Sequence, residues 1–162
     1  MPTFPNARYV MPAADYRHFA PDGPAGRQRG DRLVFADSVL PVDEAGQRVL
    51  WSDDYRISPS LRLRPAPGHT PGSPVLWLDA GEPAVFVGDL THSPLQLRRP
   101  GDACAFDPDA PAAAVTRRRI LTEAAAAKAA VMPAHYPGRG GATIRSVADR
   151  FDVDRRLDVG SL

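Results

Sequence analysis

The sequence predicts one mixed α/β domain of the α+β type, and three observations support this. The chain has 162 residues, 43% of them hydrophobic and 24% charged, which suits a single globular domain with a core. Short apolar runs bounded by Gly, Pro and Asp predict β-strands in its middle part. One alanine-rich segment after them has the spacing of an α-helix that buries one side. This balance excludes collagen-like, fibrous and strongly disordered chains.

The chain before Arg48 gives weaker signals. A short apolar piece surrounds Val10. Residues 20–31 are rich in Gly, Pro and Arg, with almost no apolar side chains, and they predict a loop. The segment 33–42 mixes apolar and polar residues and predicts no particular element.

Five short strands are predicted in the middle of the chain. Residues 61–64 alternate apolar and charged side chains, as a half-buried strand does. Residues 75–78 and 84–87 are almost wholly apolar, and the turn residues between them predict a pair of strands. We expect both faces of these two strands to be covered. Shorter strands are predicted at residues 48–51 and 55–57.

A helix is predicted over residues 112–130. Asp107 or Asp109 can cap it, and Pro111 suits its first turn. Small side chains form the stripe that would face a sheet: Ala113, Thr116, Ile120, Ala124 and Ala127. The basic run from Arg117 to Arg119 is interpreted as a solvated helix face with one internal ion pair.

Two elements are predicted after the helix. Residues 131–134 form a short strand that leads to His135. A last helix is predicted from Thr143 to about Arg150, and the final residues are expected to be loose. The prediction is thus a single domain over residues 1–162, with residues 143–162 as its C-terminal tail.

Charge and cysteine content exclude several kinds of partner. The chain has 20 basic and 19 acidic residues, so bulk attraction to nucleic acid or to anionic lipid is not supported. No apolar run approaches the roughly 18 residues that span a membrane, and no signal-peptide pattern opens the sequence. Cys104 is the only cysteine, which excludes an internal disulfide and fits the cytoplasm.

Three polar residues follow strand-like apolar runs, each beside Gly or Pro: His69, Asp89 and His135. Imidazole and carboxylate are the groups that hold Zn, Mn or Fe. The long intervals between these residues require a site that the fold assembles, unlike the local loop of a zinc finger. On spacing alone, a capped or solvated histidine is the commoner interpretation.

The motifs around these residues resemble the metallo-β-lactamase superfamily of metal-dependent hydrolases. The matching blocks are Pro67-Gly68-His69-Thr70-Pro71-Gly72, Phe86-Val87-Gly88-Asp89 and Pro133-Ala134-His135. Residues 3–9, 88–96 and 116–121 look like the lactonase and organophosphate-hydrolase-like branch. The resemblance covers roughly residues 3–143. It implies a partial domain, the C-terminal portion of an αββα sandwich.

The resemblance also implies a role for each residue. His69 would bind a first metal and His135 a second, with the Asp89 carboxylate as a bridge between them. A hydroxide shared by the metals would attack an ester, lactone or phosphotriester. His92 resembles a pocket-lining residue, with a hydrogen-bonded loop histidine as the alternative. Tyr136 would touch the small-molecule substrate, with a core or rim tyrosine as the alternative.

One block of the family is absent from this sequence. The family has a His-x-His-x-Asp-His block that supplies two ligands to the first metal and two to the second. No two of the four histidines here lie two residues apart: His18, His69, His92 and His135. In relatives the block shortly precedes the segment that matches residues 3–9. The chain is therefore interpreted as N-terminally truncated, and an in-frame block upstream would make Met1 a misplaced start.

The absent block weakens the expected activity. Three ligands remain, so weak or absent metal binding and little hydrolysis are expected of this chain alone. Alternatively, the three residues collapse onto one ion, and His92 joins them if its loop folds back. Zinc is the expected metal, with Mn or Fe as alternatives.

The competing function is a catalytically inactive remnant that acts as an oligomeric or partner-binding module. Loss of half a sandwich would expose the sheet face that includes residues 75–78 and 84–87. Exposed apolar faces and open strand edges favour association. We therefore expect self-association or pairing with a complementary N-terminal segment.

Overall fold

The computed structural model describes residues 2–137 and 140–157. These residues form two units, of which the first ends at Asp53 and the second begins at Asp54. The single domain over residues 1–162 stays a prediction. The expected looseness of the last residues concerns residues 158–162, which lie outside the described part of the chain.

The first unit combines two short parallel strands with helical segments between them. Strands β1 and β2 pair with Tyr9 opposite Arg48 and Pro12 opposite Trp51. The elements in chain order are β1 (Tyr9–Pro12), α1 (Ala13–Phe19), α2 (Arg29–Val34), a π-helical turn (Phe35–Val39), α3 (Leu40–Glu44) and β2 (Arg48–Trp51). The predicted loop is thus confirmed as far as Gln28, and the unassigned segment 33–42 is helical.

Polar contacts link three elements of the first unit. The Tyr16 hydroxyl donates a hydrogen bond to Asp43 at 2.7 Å, and Arg48 forms an ion pair with the same carboxylate at 2.8 Å. The Arg48 guanidinium also lies 4.4 Å from the centre of the Tyr16 ring. The hydrogen bond to Asp43 raises the pKa of Tyr16, so its hydroxyl stays a donor at neutral pH. Helices α1 and α3 and strand β2 are held together by these contacts.

The second unit is built on a seven-stranded sheet in which the strands follow one another in chain order. All neighbours are antiparallel except β6 and β7, which are parallel and therefore need a crossover connection. The strands are β3 (Tyr55–Arg56), β4 (Leu61–Pro65), β5 (Pro74–Leu78), β6 (Ala84–Gly88), β7 (Ala130–Pro133), β8 (Ala142–Val147) and β9 (Arg150–Arg156). The strands predicted before residue 135 are confirmed, with small shifts at their ends.

Helices α4 (Leu95–Arg98) and α5 (Ala110–Ala126) lie in the crossover from β6 to β7. Asp109 caps α5 by accepting a hydrogen bond from the Ala112 amide at 3.0 Å, as one of the two predicted caps. The helix ends before the predicted residue 130, because Lys128 takes a positive φ of 51° and the chain turns into β7. No helix in the described ranges is both long and apolar enough to cross a bilayer.

The core lies between one face of the sheet and α5. Alternate strand residues such as Val75, Val85 and Val131 are buried there with Ile120 and Ala124 of the helix. The predicted stripe is confirmed except at Ala127, which follows the end of the helix and is exposed. Leu121 is buried beside the stripe.

The opposite face of the sheet is less covered than the apolar strands predicted. Cross-strand pairing aligns four side chains on it, which we call the apolar row: Leu63, Leu76, Phe86 and Met132. Phe86 is 42% exposed, and the other three are half-buried. The expectation that both faces of β5 and β6 are covered is therefore wrong for this face.

The helix predicted from Thr143 to about Arg150 is also wrong. Strands β8 and β9 occupy this region as a hairpin, and Val147 pairs with Arg150 across a two-residue turn. Ala148 takes a positive φ of 53° in that turn. Ile144 and Phe151 are buried in the core, and this burial outweighs a weak local helical pattern.

We predict that Phe151→Ala destabilises the protein, because it empties a core position of β9 that is only 5% exposed. The free energy of unfolding should fall by about 3–5 kcal/mol in a urea titration. Val153→Ala on the same strand, where the side chain is 44% exposed, is the control and should change it by less than about 0.5 kcal/mol. Equal effects of the two substitutions would contradict the observed placement of β9.

Candidate metal centre

The three predicted metal ligands meet at one edge of the sheet. His69 lies in the connection from β4 to β5, Asp89 directly follows β6, and His135 follows β7. The end of β6 is irregular: the pairing with β7 shifts between Phe86 and Gly88, and Gly88 takes a positive φ of 50°. The chain therefore leaves the strand at the residue that precedes Asp89.

The carboxylate of Asp89 lies at the centre of the cluster. Its Oδ1 is 2.5 Å from Nε2 of His135 and 3.6 Å from Nε2 of His92, and its Oδ2 is 3.8 Å from Nε2 of His69. The His92 ring stacks on His135 at 5.1 Å and is tilted against His69 at 5.0 Å. Three imidazoles thus present the same nitrogen to one carboxylate.

The donor set fits a divalent cation. Two groups have ligand atoms within 4.8 Å of one another: His69, His92 and Asp107, and Asp89, His92 and His135. A tetrahedral zinc ion with bonds of 2.0–2.1 Å holds its donor atoms about 3.3 Å apart. The separations of His92 and His69 from Asp89 are close to that value. Asp89 and His135 are about half exposed, so this side of the cluster faces water.

Asp107 is a buried residue that contacts His69 and orients its ring. Its side chain is fully buried, with Oδ1 3.1 Å from Nδ1 of His69 and Oδ2 accepting from the Cys104 amide at 3.1 Å. A carboxylate has no hydrogen to donate, so Nδ1 of His69 carries the proton and donates to it. In a neutral His69, Nε2 then carries the lone pair, and it lies 3.8 Å from Asp89. Such a contact fixes the tautomer and the ring orientation of a ligating histidine.

Arg117 is buried, with 1% of its side chain exposed, which corrects the predicted solvated face. Its guanidinium donates to the carbonyls of Leu90 at 2.7 Å, Pro100 at 3.0 Å and Asp102 at 2.9 Å, and to Asp107 at 3.2 Å. It thereby ties the segment after Asp89 to the segment that carries Asp107. The internal ion pair expected on this face does form, between Arg119 and Glu123 at 3.2 Å.

Sequence reasoning missed the supporting role of both Asp107 and Arg117. The sequence pattern indicates Asp107 only as a candidate helix cap and Arg117 only as one member of a basic run. Each signal is local, whereas burial of the pair depends on loops that the sequence pattern does not place. The only signal in the sequence is that Arg117 directly follows Thr116 and therefore lies near the side of α5 that faces the core.

Of the two predicted substrate-binding residues, His92 lies within this cluster and Tyr136 directly follows His135 in the sequence. Burial lowers the pKa of His92, and the neighbouring His69 adds to the effect. Tyr136 packs against the hydrophobic core, and burial raises the pKa of its hydroxyl. Tyr136 also lines a cavity of about 240 Å³ whose walls include Leu97 and Ile144. Its packing matches the rim or core alternative, and the cavity leaves a substrate contact open to test.

Gly68, in the block that contains His69, is required for steric reasons. Gly68 takes a φ of 137°, and a Cβ there would lie 2.3 Å from the Ala113 backbone in the first turn of α5. The loop that carries His69 therefore packs directly on the helix. Only glycine allows both this φ and this approach.

Solved structures of known proteins share this fold. AbOPH, a hydrolase in the β-lactamase superfamily, matches with a TM-score of 0.81 at 23% identity, over 95% of this chain and 56% of that chain. AidC, a dizinc quorum-quenching lactonase, matches with a TM-score of 0.74 at 21% identity, over 97% of this chain and 57% of that chain. A probable metal-dependent hydrolase from Staphylococcus aureus gives 0.62 at 13% identity, over 83% and 52% of the two chains. No family model and no curated protein matches the sequence.

These similarities define the class of fold. The chain has the metallo-β-lactamase fold and spans a little over half the length of AbOPH and of AidC. The predicted resemblance to metallo-β-lactamase superfamily hydrolases, as a portion of an αββα sandwich, is confirmed at the level of the fold. The similarity does not assign the metal ligands, which stay predictions supported by the geometry above.

We predict that Gly68→Ala destabilises the protein more than Gly81→Ala does. Both glycines have a positive φ, but a Cβ at Gly81 meets nothing within 4 Å. The control should therefore lose only about 1–2 kcal/mol of unfolding free energy, from backbone strain. The collision with Ala113 should cost Gly68→Ala about 1–3 kcal/mol more. Equal losses in urea unfolding would show that the loop does not pack on α5 as described.

Proposed function

We propose that this chain forms part of a metal-dependent hydrolase that acts on an ester, lactone or phosphotriester. The convergence of three imidazole nitrogens on the Asp89 carboxylate carries the proposal. Two further observations support it: AbOPH is a hydrolase, and AidC is a dizinc lactonase of the same fold. Each covers almost the whole of this chain, but the activity of a longer protein is not transferred by fold alone.

His69, Asp89 and His135 would hold the metal. Asp89 directs one oxygen toward His135 and the other toward His69, so its carboxylate is placed either to bridge two ions or to serve one. A divalent cation bound there supplies Lewis acidity toward the substrate and makes water acidic enough to attack near neutral pH. Imidazole-rich sites suit zinc, and we propose zinc with Mn or Fe as alternatives.

We expect the isolated chain to be a weak catalyst. If two ions were bound, each would keep one histidine and a share of Asp89, whereas stable zinc sites take about four ligands. Asp89 and His135 are also about half exposed, so water reaches the cluster freely. Electrostatic stabilisation of a transition state is weaker in such a site than in one that excludes water.

Metal titration tests this proposal. Zn²⁺ titrated into the purified chain at neutral pH should show saturable binding by calorimetry, tighter than millimolar. Asp89→Asn removes the central negative charge and should weaken binding at least about 100-fold. His18→Gln, in the first unit, should leave binding unchanged.

Activity is the second readout of the same experiment. With added metal, the wild-type chain should hydrolyse an ester, a lactone or a phosphotriester slowly but above background, and Asp89→Asn should not. Absence of any saturable metal binding to the wild-type chain would overturn the proposed function.

A second candidate function, an oligomeric module without catalysis, is favoured by the apolar row. Phe86 and the other members of the apolar row leave apolar surface on the sheet face opposite α5. An apolar patch that meets its own copy across a two-fold axis is self-complementary, and we propose a second copy of this chain as its partner. The net charge is only +1, so electrostatic repulsion between two copies is small.

We predict that the chain is a dimer or larger at micromolar concentration by light scattering. Phe86→Glu places a charge in the row and should shift the protein to monomer. Val115→Glu on α5, where the side chain is 69% exposed, should not change the mass. A monomeric wild-type chain, or a mass explained only by a different bound polypeptide, would contradict pairing of two copies.

We also propose the cytoplasm as the location of the protein. Its single cysteine, Cys104, is free, as expected for a chain that folds in a reducing compartment.

A further inference from the structure

Hydrogen bonds fix the backbone at His92 and at Leu90, two residues before it. Its backbone N–H donates to Oε1 of Gln96 at 2.7 Å, and the buried Gln96 side chain donates in turn to the Asp102 carbonyl at 3.1 Å. Two residues earlier, the Leu90 carbonyl accepts from Arg117 at 2.7 Å. The imidazole therefore projects from a fixed backbone, and the loop already brings it against the cluster.

The surroundings of the His92 ring do not suit an ordinary loop histidine. Its Nδ1 is buried and has no hydrogen-bond partner among the described residues. Its Nε2 is 3.6 Å from Asp89, which is longer than a good hydrogen bond. One face of the ring stacks on His135, and His69 contacts the ring in a tilted arrangement. Nε2 therefore faces the Asp89 carboxylate without a good hydrogen bond, and it is the ring nitrogen that is available to a further partner such as a metal ion.

The other donors lie around the same carboxylate. His69 donates its Nδ1–H to Asp107, and both Asp107 oxygens are already engaged, which removes Asp107 from the set of available ligands. The remaining donors are Nε2 of His69, His92 and His135 and the Asp89 carboxylate. Asp89, His92 and His135 have ligand atoms within 4.8 Å of one another, and Nε2 of His69 lies 3.8 Å from the other oxygen of Asp89. Three imidazoles and one carboxylate are thus available to a four-coordinate ion.

We infer that His92 is a metal ligand and that this chain binds one divalent cation with His69, Asp89, His92 and His135. This inference rests on the proposed function, since it assumes that the Asp89 cluster binds metal. It develops the single-ion alternative expected from the sequence and replaces the pocket-lining role that the resemblance implies for His92. The site would then have four protein donors without the block that the sequence lacks.

Cobalt provides a direct test, because tetrahedral Co²⁺ absorbs visible light much more strongly than octahedral Co²⁺. Titration of Co²⁺ into the wild-type chain should give one equivalent of binding and a tetrahedral spectrum. His92→Ala and His92→Gln should weaken binding at least about tenfold and lose the strong bands. His18→Gln is the matched control and should behave as wild type, and circular dichroism checks that each variant is folded.

Ligand exchange gives a positive readout that a structural role would not produce. In His92→Cys, a thiolate should replace the imidazole, restore tight Co²⁺ binding and add a thiolate-to-cobalt absorption band in the near ultraviolet. The wild-type chain, which also contains Cys104, should lack that band.

The outcomes separate the two proposals. If the wild-type chain binds no Co²⁺, the proposed function and this inference both fail. If it binds Co²⁺ and the His92 variants bind it equally well with the same spectrum, only the inference fails. Binding of two equivalents that is unaffected at His92 would also overturn the single-ion site.

Discussion

The buried pair between Arg117 and Asp107 organises the site edge of the sheet. A guanidinium with 1% of its side chain exposed would be costly to bury alone, since the desolvation penalty of a charge is several kcal/mol. Here one carboxylate and three backbone carbonyls accept from it. These acceptors belong to the segment after β6 and to the segment before α5, so a residue of α5 fixes both. Replacement of either partner would leave the other charged and buried, and the loops would lose their common anchor.

The Arg117–Asp107 pair positions residues of the candidate metal centre. Asp107 orients His69 through Nδ1, and the Arg117 contact with the Leu90 carbonyl fixes the backbone next to Asp89. Asp107 and Arg117 are buried, whereas Asp89 and His135 are about half exposed, so the cluster is open to water on one side. That arrangement suits binding of a cation from solvent. It does not by itself exclude water from a reaction, and this is why weak catalysis is compatible with well-placed donors.

The sequence predicted three polar residues that the structure brings together, and it predicted the strands before residue 135, but not the residues that support the cluster. His69, Asp89 and His135 were singled out because a polar residue after an apolar strand is a local pattern, and the structure brings all three together. Arg117 and Asp107 escaped notice because their burial is a tertiary property. The C-terminal hairpin was mistaken for a helix because Ile144 and Phe151 show their strand role only when the core they join is known. The exposed face at Phe86 was missed for a similar reason: an apolar run predicts burial but does not say what covers it.

Charge balance favours one cation in this cluster over two. Asp89 is the only carboxylate among the donors, because the negative charge of Asp107 is already balanced by Arg117. Neutral imidazoles supply lone pairs but no charge, so a single dication would be half neutralised by Asp89. A second dication a few ångströms away would add strong repulsion with no further carboxylate to offset it. His92 would contribute a donor without a charge, which would complete the coordination of one ion but would not reduce the repulsion between two.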